Sequence, residues 1–368
     1  MRVPFLDIRA QYVDLRDELD QVVHDVVSSG SYVMGQHHNA FEAEIAALHG
    51  VKHGIAVNSG TDALRIMLDA AGVGHGDEVI TTAFTFVASV ETIVQTGATP
   101  VFVDIEPGTF QMDPSLIEAA ITPRTKAIMP IHLFGQLFDV DAISYIANKH
   151  NLIVLEDAAQ AIASGKDGVM AGNYGLAAGI SFYVTKNLGA AGDGGMIITN
   201  DDSTAEKCRS MRVHGMGRQR YYYDHVGYTS RLDEIQAAIM RTKLTKLMHW
   251  TDQRRDIAKI YLTDLAGSDI TLPAILPGNK HTWHQFTVRA PKRDELQAFL
   301  KSREIDSMIY YPVPIHFHEP YKRFGKGIGS LPITESSSLS VLSLPVHQHL
   351  TDDQARFVCD SILSFYGS

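Results

Sequence analysis

Short runs of hydrophobic residues alternate with amphipathic stretches from about residue 50 to residue 245. Buried β-strands are predicted at five of these runs: residues 55–57, 78–80, 101–103, 127–129 and 152–155. Helices are predicted between them, at residues 61–71, 89–96 and 141–150. Nearly continuous apolar strands separated by helices are typical of a parallel sheet covered on both faces. Ligands bind at the carboxyl ends of the strands in such sheets, so functional residues are expected directly after each strand.

The pattern changes after Arg231. A long stretch with helical spacing, residues 232–250, leads into segments interrupted by proline and glycine, with a further helix predicted at residues 293–303. We therefore expect two domains: a large one at residues 1–245, whose first 50 residues are mostly helical, and a smaller C-terminal one at residues 246–368.

Composition narrows the class of protein. The chain has 368 residues, 45% hydrophobic and 20% charged, as in globular proteins with a sizeable core. Acidic residues outnumber basic ones by 42 to 32, which argues against a nucleic-acid partner. Two cysteines exclude a disulfide scaffold. Neither a membrane-spanning run nor the apolar core of a signal peptide is found, so we expect no membrane partner and a cytoplasmic location.

Two segments follow predicted strands and carry candidate chemistry. Residues 58–62, with the sequence Asn-Ser-Gly-Thr-Asp, open a helix, where small side chains and free amides favour a phosphate group. The alternative for this segment is an ordinary helix cap. Asp157 ends a strand that is predicted to be buried, and a buried carboxylate needs a partner. That partner is a protonated ring nitrogen, a buried arginine or a helix start; a purely structural role is equally compatible with this segment alone.

Lys186 lies in a glycine-rich turn before an apolar strand at residues 196–199. A lysine near the interior has its ammonium form disfavoured, which frees the amine for a Schiff base. The alternative is a solvated surface lysine. Taken together, a phosphate cradle, a carboxylate for a pyridinium and an amine for an aldehyde are the components of pyridoxal-phosphate chemistry.

With these segments in view, the sequence resembles the DegT family of sugar-nucleotide aminotransferases, which have fold type I, the aspartate aminotransferase-like fold. The resemblance runs nearly end to end, at residues 4–7, 58–62, 84–88, 156–160, 181–189, 192–195, 230–234 and 311–316. It implies an α/β fold with a large pyridoxal-phosphate domain around a mostly parallel central sheet, and a smaller C-terminal α/β domain.

The resemblance also implies residue roles. Lys186 is the expected catalytic residue, and Asp157 is expected to hold the pyridinium. The expected cofactor-binding residues are Gly60, Thr61, Phe86, Asp157, Gln160, Ser181, Lys186 and Thr229, with Gln160 at the cofactor's phenolic oxygen and Phe86 on its ring. The expected substrate-binding residues are Tyr183, Arg218, Tyr311 and His316. The chain departs from the family in having Thr229 where asparagine is usual and Ile162 where histidine is usual.

The function implied is transfer of the amino group of L-glutamate to a nucleotide-linked keto-sugar. The motifs resemble most the subgroup that aminates a 3-keto-sugar, which suggests a dTDP-linked 3-keto-6-deoxyhexose. Family members are homodimers with shared active sites, to which the partner contributes the segment around residues 227–231. The alternatives are a 4-aminotransferase, a pyridoxal-phosphate-dependent 3-dehydratase, whose members carry histidine in place of Lys186, and a non-catalytic cofactor-bound regulator.

Each of two further features has a functional interpretation and a purely structural one. Arg212, Arg218 and Arg220 precede three tyrosines, and the stretch is either a clamp for the diphosphate of a nucleotide-sugar or a solvated loop. The histidine pairs 316/318 and 347/349 would each share one face of a strand. Without a cysteine or carboxylate at ligand spacing, no metal site is expected.

Overall fold

The computed structural model describes residues 1–367. The α-helices are α1 (Ile8–Asp14), α2 (Arg16–Ser29), α3 (Gln36–His49), α4 (Gly60–Ala70), α5 (Ala88–Gln95), α6 (Ile117–Ala120), α7 (Val140–His150), α8 (Asp202–Met211), α9 (Glu234–Leu244), α10 (Leu247–Asp264), α11 (Arg293–Ser302), α12 (Pro332–Ser340) and α13 (Asp352–Tyr366). The strands are β1 (His53–Val57), β2 (Glu78–Thr82), β3 (Thr99–Val103), β4 (Thr125–Ile128), β5 (Ile153–Asp157), β6 (Gly165–Lys166), β7 (Val169–Met170), β8 (Ala177–Ser181), β9 (Gly195–Thr199), β10 (Asn279–Lys280), β11 (Phe286–Arg289) and β12 (Val341–Leu344).

A seven-stranded sheet forms the centre of the molecule, in the order β1-β9-β8-β5-β4-β2-β3. Strands β3, β2, β4, β5 and β8 run parallel, whereas β9 is antiparallel to both of its neighbours. Apolar clusters of helix and strand residues cover the sheet. The predicted α/β fold with a mostly parallel central sheet is therefore confirmed. The parallel strands bring the ends of β5 and β8 to the same edge of the sheet.

Glu156 in β5 anchors the loop that leads into β8. Its carboxylate is fully buried and accepts hydrogen bonds from the amides of Gly172, Tyr174 and Gly175, at 2.7, 2.8 and 2.7 Å. His132 Nε2 lies 2.8 Å from the same carboxylate. A buried charge is tolerated when such partners surround it. Glu156 therefore fixes the loop at residues 172–175 and, with it, the start of β8, the strand that leads into the glycine-rich turn containing Lys186.

The C-terminal part has its own core. Strands β11 and β12 pair in antiparallel fashion, and α10, α11 and α13 contribute residues such as Tyr261, Leu296 and Val358 to the apolar cluster around them. Val3, near the start of the chain, bridges to Ile305 and is buried in the same cluster. The domain boundary near residue 245 stays a prediction.

The predicted helix at residues 232–250 is wrong in one respect, because two helices occupy this stretch. The amide of Lys246 donates to the carbonyl of Lys243 at 2.9 Å, and the Thr245 hydroxyl donates to Thr242 at 2.8 Å. These tight local bonds end α9 and redirect the chain into α10, which continues to Asp264. The apolar spacing runs through the break, so the pattern alone could not reveal it.

No helix within residues 1–367 is both long and apolar enough to cross a membrane.

Candidate active site

A cavity of about 620 Å³ opens at the carboxyl ends of β5 and β8. Its wall is built from the start of α4, the loop before α5, the ends of β5 and β8 with the turns that follow them, and two segments of the C-terminal part. The cavity brings together the following residues predicted from the sequence: Gly60, Thr61, Phe86, Asp157, Gln160, Ser181, Tyr183, Lys186 and Tyr311.

Asp157 is the last residue of β5 and is 4% exposed. Its Oδ2 accepts a hydrogen bond from the Ser89 hydroxyl at 2.7 Å, and its Oδ1 accepts one from the Ala159 amide at 3.1 Å. Burial raises the pKa of this carboxyl above its usual range, although the Ser89 and Ala159 bonds and the charge of Lys186 act in the opposite direction. The carboxylate is therefore held in place but lacks a cationic partner strong enough to offset its burial.

Lys186 lies in the turn between β8 and β9, and the amide of Lys186 donates to the Tyr183 carbonyl at 2.8 Å. Burial lowers the pKa of its ammonium group to about 8, against the attraction of Asp157. At pH 7 about a tenth of the Lys186 side chains are therefore uncharged amines, far more than for a solvated lysine. The cavity holds this amine together with a buried carboxylate, which is an arrangement suited to carbonyl chemistry.

The start of α4 presents unpaired backbone amides to the cavity. Ser59 caps this helix, since its Oγ accepts the Asp62 amide at 3.1 Å. The first amides of a helix, here those of Gly60 and Thr61, have no acceptor within the helix. A Cβ on Gly60 would lie 2.6 Å from Cβ of Ser181, so only glycine allows this close approach. These groups form a cradle for an anion at the positive end of the helix.

Gln160 and Tyr311 are joined across the cavity. Gln160 Nε2 donates to the Tyr311 hydroxyl at 3.0 Å, while its Oε1 accepts the Phe134 amide at 2.7 Å. Burial raises the pKa of the Tyr311 hydroxyl, which therefore stays protonated and can donate its own hydrogen. The predicted contact of Gln160 with a phenolic oxygen stays a prediction, because both ends of its amide already have partners in the protein.

Sequence reasoning missed several residues of the cavity wall. Ser89 bonds to Asp157, and Thr85 Oγ1 lies 2.9 Å from Ser89 Oγ, so two hydroxyls stand behind the carboxylate. His284 and Tyr310 enter from the C-terminal part. The motif at residues 84–88 contains Thr85 and stops one residue before Ser89; no sequence signal marked His284.

Three predicted site residues lie outside this cavity. Thr229 is exposed, with Oγ1 3.0 Å from His214 Nε2. Arg218 is exposed and lies 3.6 Å from Glu206. His316 is buried, with Nε2 3.3 Å from Glu335. The cavity is that of a single chain, so the roles predicted for these residues stay predictions.

Two other expectations were wrong. Arg212 cannot serve in a phosphate clamp, because its guanidinium is buried, pairs with Glu42 and donates to the Ala56 carbonyl at 2.8 Å. The histidine pairs do not lie on strands: His316 is in a 3₁₀ turn at Ile315–Phe317, and His347 follows the end of β12. Among the described residues no cluster of three or more histidine, cysteine or acidic side chains could hold a metal ion.

We expect Ser89→Ala to move the acid limb of the pH profile of kcat to higher pH by about one to two pH units, because a hydrogen bond to a carboxylate contributes about 1.5–3 kcal/mol. The Ser89 bond lowers the pKa of Asp157, so its loss raises the pH at which the carboxylate becomes protonated. The matched control is Thr92→Val, which removes a buried hydroxyl of the same helix that bonds only to backbone carbonyls. Equal profiles for Ser89→Ala and the wild type would contradict this role.

The chain is similar to known proteins in both sequence and structure. The family model for the DegT/DnrJ/EryC1/StrS aminotransferase family matches residues 13–363. A pleiotropic regulatory protein of Geobacillus stearothermophilus is 50% identical over 100% of this chain and 99% of its own length. The dTDP-3-amino-3,4,6-trideoxy-alpha-D-glucose transaminase of Streptomyces venezuelae is 44% identical over 98% of this chain and 95% of its own. The crystal structure of S. venezuelae DesV in complex with a ketimine intermediate matches with a TM-score of 0.97 and 44% identity, covering 100% of this chain and 99% of that one.

Proposed function

The chain belongs to the DegT/DnrJ/EryC1/StrS aminotransferase family, and on that basis we propose that it transfers the amino group of L-glutamate to a nucleotide-linked keto-sugar. It is an aminotransferase, and its cofactor is pyridoxal 5'-phosphate. One observation in this structure carries the proposal: the amine of Lys186 and the buried carboxylate of Asp157 face a single cavity that also contains the free amides of α4.

The residues of the cavity fit the cofactor. The raised pKa of Asp157 indicates a carboxylate that needs a cation, and a protonated ring nitrogen is one. The start of α4 offers amides and a positive helix end to a phosphate. The lowered pKa of Lys186 leaves an amine able to attack an aldehyde. Ring, phosphate and aldehyde thus each have a matching group.

We assign the roles of these residues as follows. When bound, the cofactor supplies an aldehyde that accepts the amino group and a ring that withdraws electrons. Asp157, ionised, holds the ring nitrogen in its protonated form, and Ser89 orients this carboxylate. The amides of Gly60 and Thr61, with the Ser181 hydroxyl, hold the phosphate. Lys186 Nζ, once uncharged, would take a proton from the carbon of L-glutamate that carries the amino group and deliver it to the aldehyde carbon of the cofactor, and it would move a proton in the opposite sense when the keto-sugar is aminated.

The sugar is proposed more finely as a dTDP-linked 3-keto-6-deoxyhexose. The support is the motif pattern at residues 3–7 and 230–234, together with the S. venezuelae relative, whose name specifies a 3-amino sugar joined to dTDP. Lys186 favours transamination over 3-dehydration, whose enzymes carry histidine at this position. The name of the Geobacillus relative favours a second candidate, a cofactor-bound regulator without turnover.

We also propose a homodimer with shared active sites in the cytoplasm. Thr229 and Arg218 lie outside the cavity of their own chain and are exposed, as expected of residues that reach a partner's site. Tyr221, Tyr222 and Tyr223 beside them are exposed aromatics, which are common at protein interfaces. The cysteines of the described chain, Cys208 and Cys359, are buried and unpaired, as in a reducing compartment.

The test is optical and chemical. The purified protein with bound cofactor is expected to be yellow, and L-glutamate should bleach this colour as the cofactor takes up the amino group. A panel of dTDP-, UDP- and GDP-linked keto-sugars should then restore the colour, and product mass should show one nitrogen gained. A product that has lost oxygen without gaining nitrogen would favour the dehydratase. A colour that L-glutamate leaves unchanged would favour the regulator.

A further inference from the structure

One wall of the cavity is a short segment of the C-terminal part, residues 281–285, which we refer to as the strap. His284 and Gln285 of the strap line the cavity, although they lie about 100 residues beyond Lys186 in the chain. The way in which the strap is joined to the turn that carries Lys186 therefore bears on the geometry of the site.

Backbone hydrogen bonds attach the strap to the loop that follows β4. The amide of Thr282 donates to the carbonyl of Gly135 at 2.9 Å, and the amide of Gln285 donates to the carbonyl of Phe134 at 3.2 Å. Gly135 has a φ of +101°, and a Cβ at this position would lie 2.5 Å from Cγ2 of Thr282. Only glycine therefore allows the strap to lie this close to the loop.

Trp283 attaches the strap on its other side. It has a φ of +48°, a left-handed conformation that costs free energy for a residue with a Cβ. Its ring belongs to the C-terminal core and stacks on His281, with centroids 3.8 Å apart, and its carbonyl accepts a hydrogen bond from Arg254 at 3.1 Å. The strap is thus held both by the C-terminal core and by the loop after β4.

Asn187, the residue that follows Lys186, joins the turn to the strap. Its side chain is buried, and its Nδ2 donates to the carbonyl and hydroxyl oxygens of Thr282, at 2.9 and 3.0 Å. Because a carbonyl can only accept, the amide nitrogen must face Thr282 and Oδ1 must face the other way. Oδ1 lies 3.2 Å from His284 Nδ1, which donates to it.

The turn is held at two further points, on either side of Asn187. The amide of Lys186 donates to the Tyr183 carbonyl at 2.8 Å, and Lys243 Nζ donates to the Gly189 carbonyl at 2.8 Å. The three side-chain bonds of Asn187 act between these points. They restrain the peptide group that joins Lys186 to Asn187, because the Cα of Lys186 cannot be displaced far without breaking them.

Building on the proposed function, we propose that Asn187 is a positioning residue: by joining the turn to the strap, it holds the Cα of Lys186 where the amine reaches the cofactor aldehyde. The lysine side chain is a flexible four-carbon stem, so a displaced Cα shifts every position open to the amine. A misplacement of about 1 Å costs roughly 10²-fold in rate. The phosphate cradle belongs to α4, so loss of Asn187 should slow covalent attachment of the cofactor far more than it weakens binding.

The test measures covalent attachment and binding separately. Cofactor-free full-length protein is mixed with pyridoxal 5'-phosphate, and absorbance follows the step in which the Lys186 amine adds to the aldehyde carbon and water leaves as the C=N bond forms. Pyridoxamine 5'-phosphate has an amine in place of this aldehyde and cannot be attached to Lys186 in this way. Its dissociation constant, measured by calorimetry, therefore reports the rest of the site.

Two substitutions weaken the junction to different degrees. Asn187→Ala removes all three bonds, whereas Thr282→Val removes one acceptor and keeps the Thr282 carbonyl. The matched control is Asn173→Ala. The side-chain amide of Asn173 also makes three hydrogen bonds, at 2.6, 3.1 and 3.3 Å, but it does not line the cavity. The control thus loses the same number of bonds away from Lys186.

We expect Asn187→Ala to slow capture of pyridoxal 5'-phosphate by about 10–100-fold, while its dissociation constant for pyridoxamine 5'-phosphate stays within about threefold of the wild type. Thr282→Val should slow capture by about threefold, because it loses a single neutral hydrogen bond. Asn173→Ala should match the wild type in both measurements.

Wild-type capture by Asn187→Ala, or equal losses of capture and of pyridoxamine 5'-phosphate binding, would overturn the proposal. Thermal unfolding shows whether Asn187→Ala folds. If it does not fold, Thr282→Val decides, and capture at the wild-type rate by that variant would refute the role of Asn187. If capture is slowed selectively but no keto-sugar is aminated by the wild type, the proposed function fails and the role of Asn187 stands.

Discussion

Lys186→Ala is expected to lower transamination by at least about 10⁴-fold, because a single side chain serves as both the nucleophile and the proton carrier. Its amine faces the cavity, and burial lowers its pKa to about 8. No other lysine lines the described cavity wall, so no second amine can replace it. The cofactor should still bind at Asp157 and the start of α4, but without a covalent bond. Borohydride reduction followed by intact-protein mass should therefore show the cofactor's added mass in the wild type alone.

The control for this variant is Lys149→Ala. Lys149 is an exposed residue of α7 that pairs with Glu118 at 2.7 Å and lies away from the cavity. We expect this variant to keep wild-type turnover and the covalent mass. A Lys186→Ala protein that still turned over, at more than a small fraction of the wild-type rate, would refute the assignment of Lys186.

The second large effect is expected for Asp157→Asn, with a fall in kcat of about 10²–10³-fold, the range found when one preorganised electrostatic contact is removed. The amide oxygen can still accept from the Ala159 amide, and the amide NH₂ can donate to the Ser89 hydroxyl in place of the bond that Asp157 accepted. The group carries no charge, so it no longer stabilises a protonated ring nitrogen. Because Lys186 is retained, capture of the cofactor should persist. The two variants are thus expected to separate attachment of the cofactor from turnover.

The measurement is steady-state kinetics beside the capture assay. Folding should be little affected, because asparagine has almost the same shape as aspartate and removes a buried charge whose burial is costly. A kcat unchanged in Asp157→Asn would show that the carboxylate has a structural role only. A loss of both capture and folding would instead indicate that it acts as an anchor, as Glu156 does.

The sheet was largely predictable because its strands are apolar on both faces. Each strand predicted before residue 160 overlaps a strand of the structure, and the three helices predicted between those strands differ from the observed ones by about one residue at each end. The break between α9 and α10 was not predictable, because local hydrogen bonds at Thr245 and Lys246 produce it without interrupting the apolar spacing. The 3₁₀ turn at His316 follows Pro312 and Pro314, which cannot donate backbone hydrogen bonds to a strand.

The part of the candidate site that lies directly after strands could also be predicted. Asp157 and Ser181 end β5 and β8, and Lys186 follows in a recognisable turn. His284 could not be found in this way, since it reaches the cavity through tertiary contacts of Trp283 and Asn187 rather than through a local pattern. Ser89 could not be predicted for a different reason. It directly follows the family motif at residues 84–88, but its hydrogen bond to Asp157 joins residues 68 positions apart in the chain, which no local pattern reveals.

Adjacent carboxylates in β5 perform tasks that cannot be exchanged. Successive side chains of a strand point to opposite faces, so Glu156 meets the amides of residues 172–175 while Asp157 meets the cavity. Inserting or deleting one residue in this strand would swap their directions, leaving a loop without its acceptor and a cavity without its aspartate. Length changes in β5 should consequently be tolerated far less well than substitutions, and natural variation in this part of the chain should be confined to residue type.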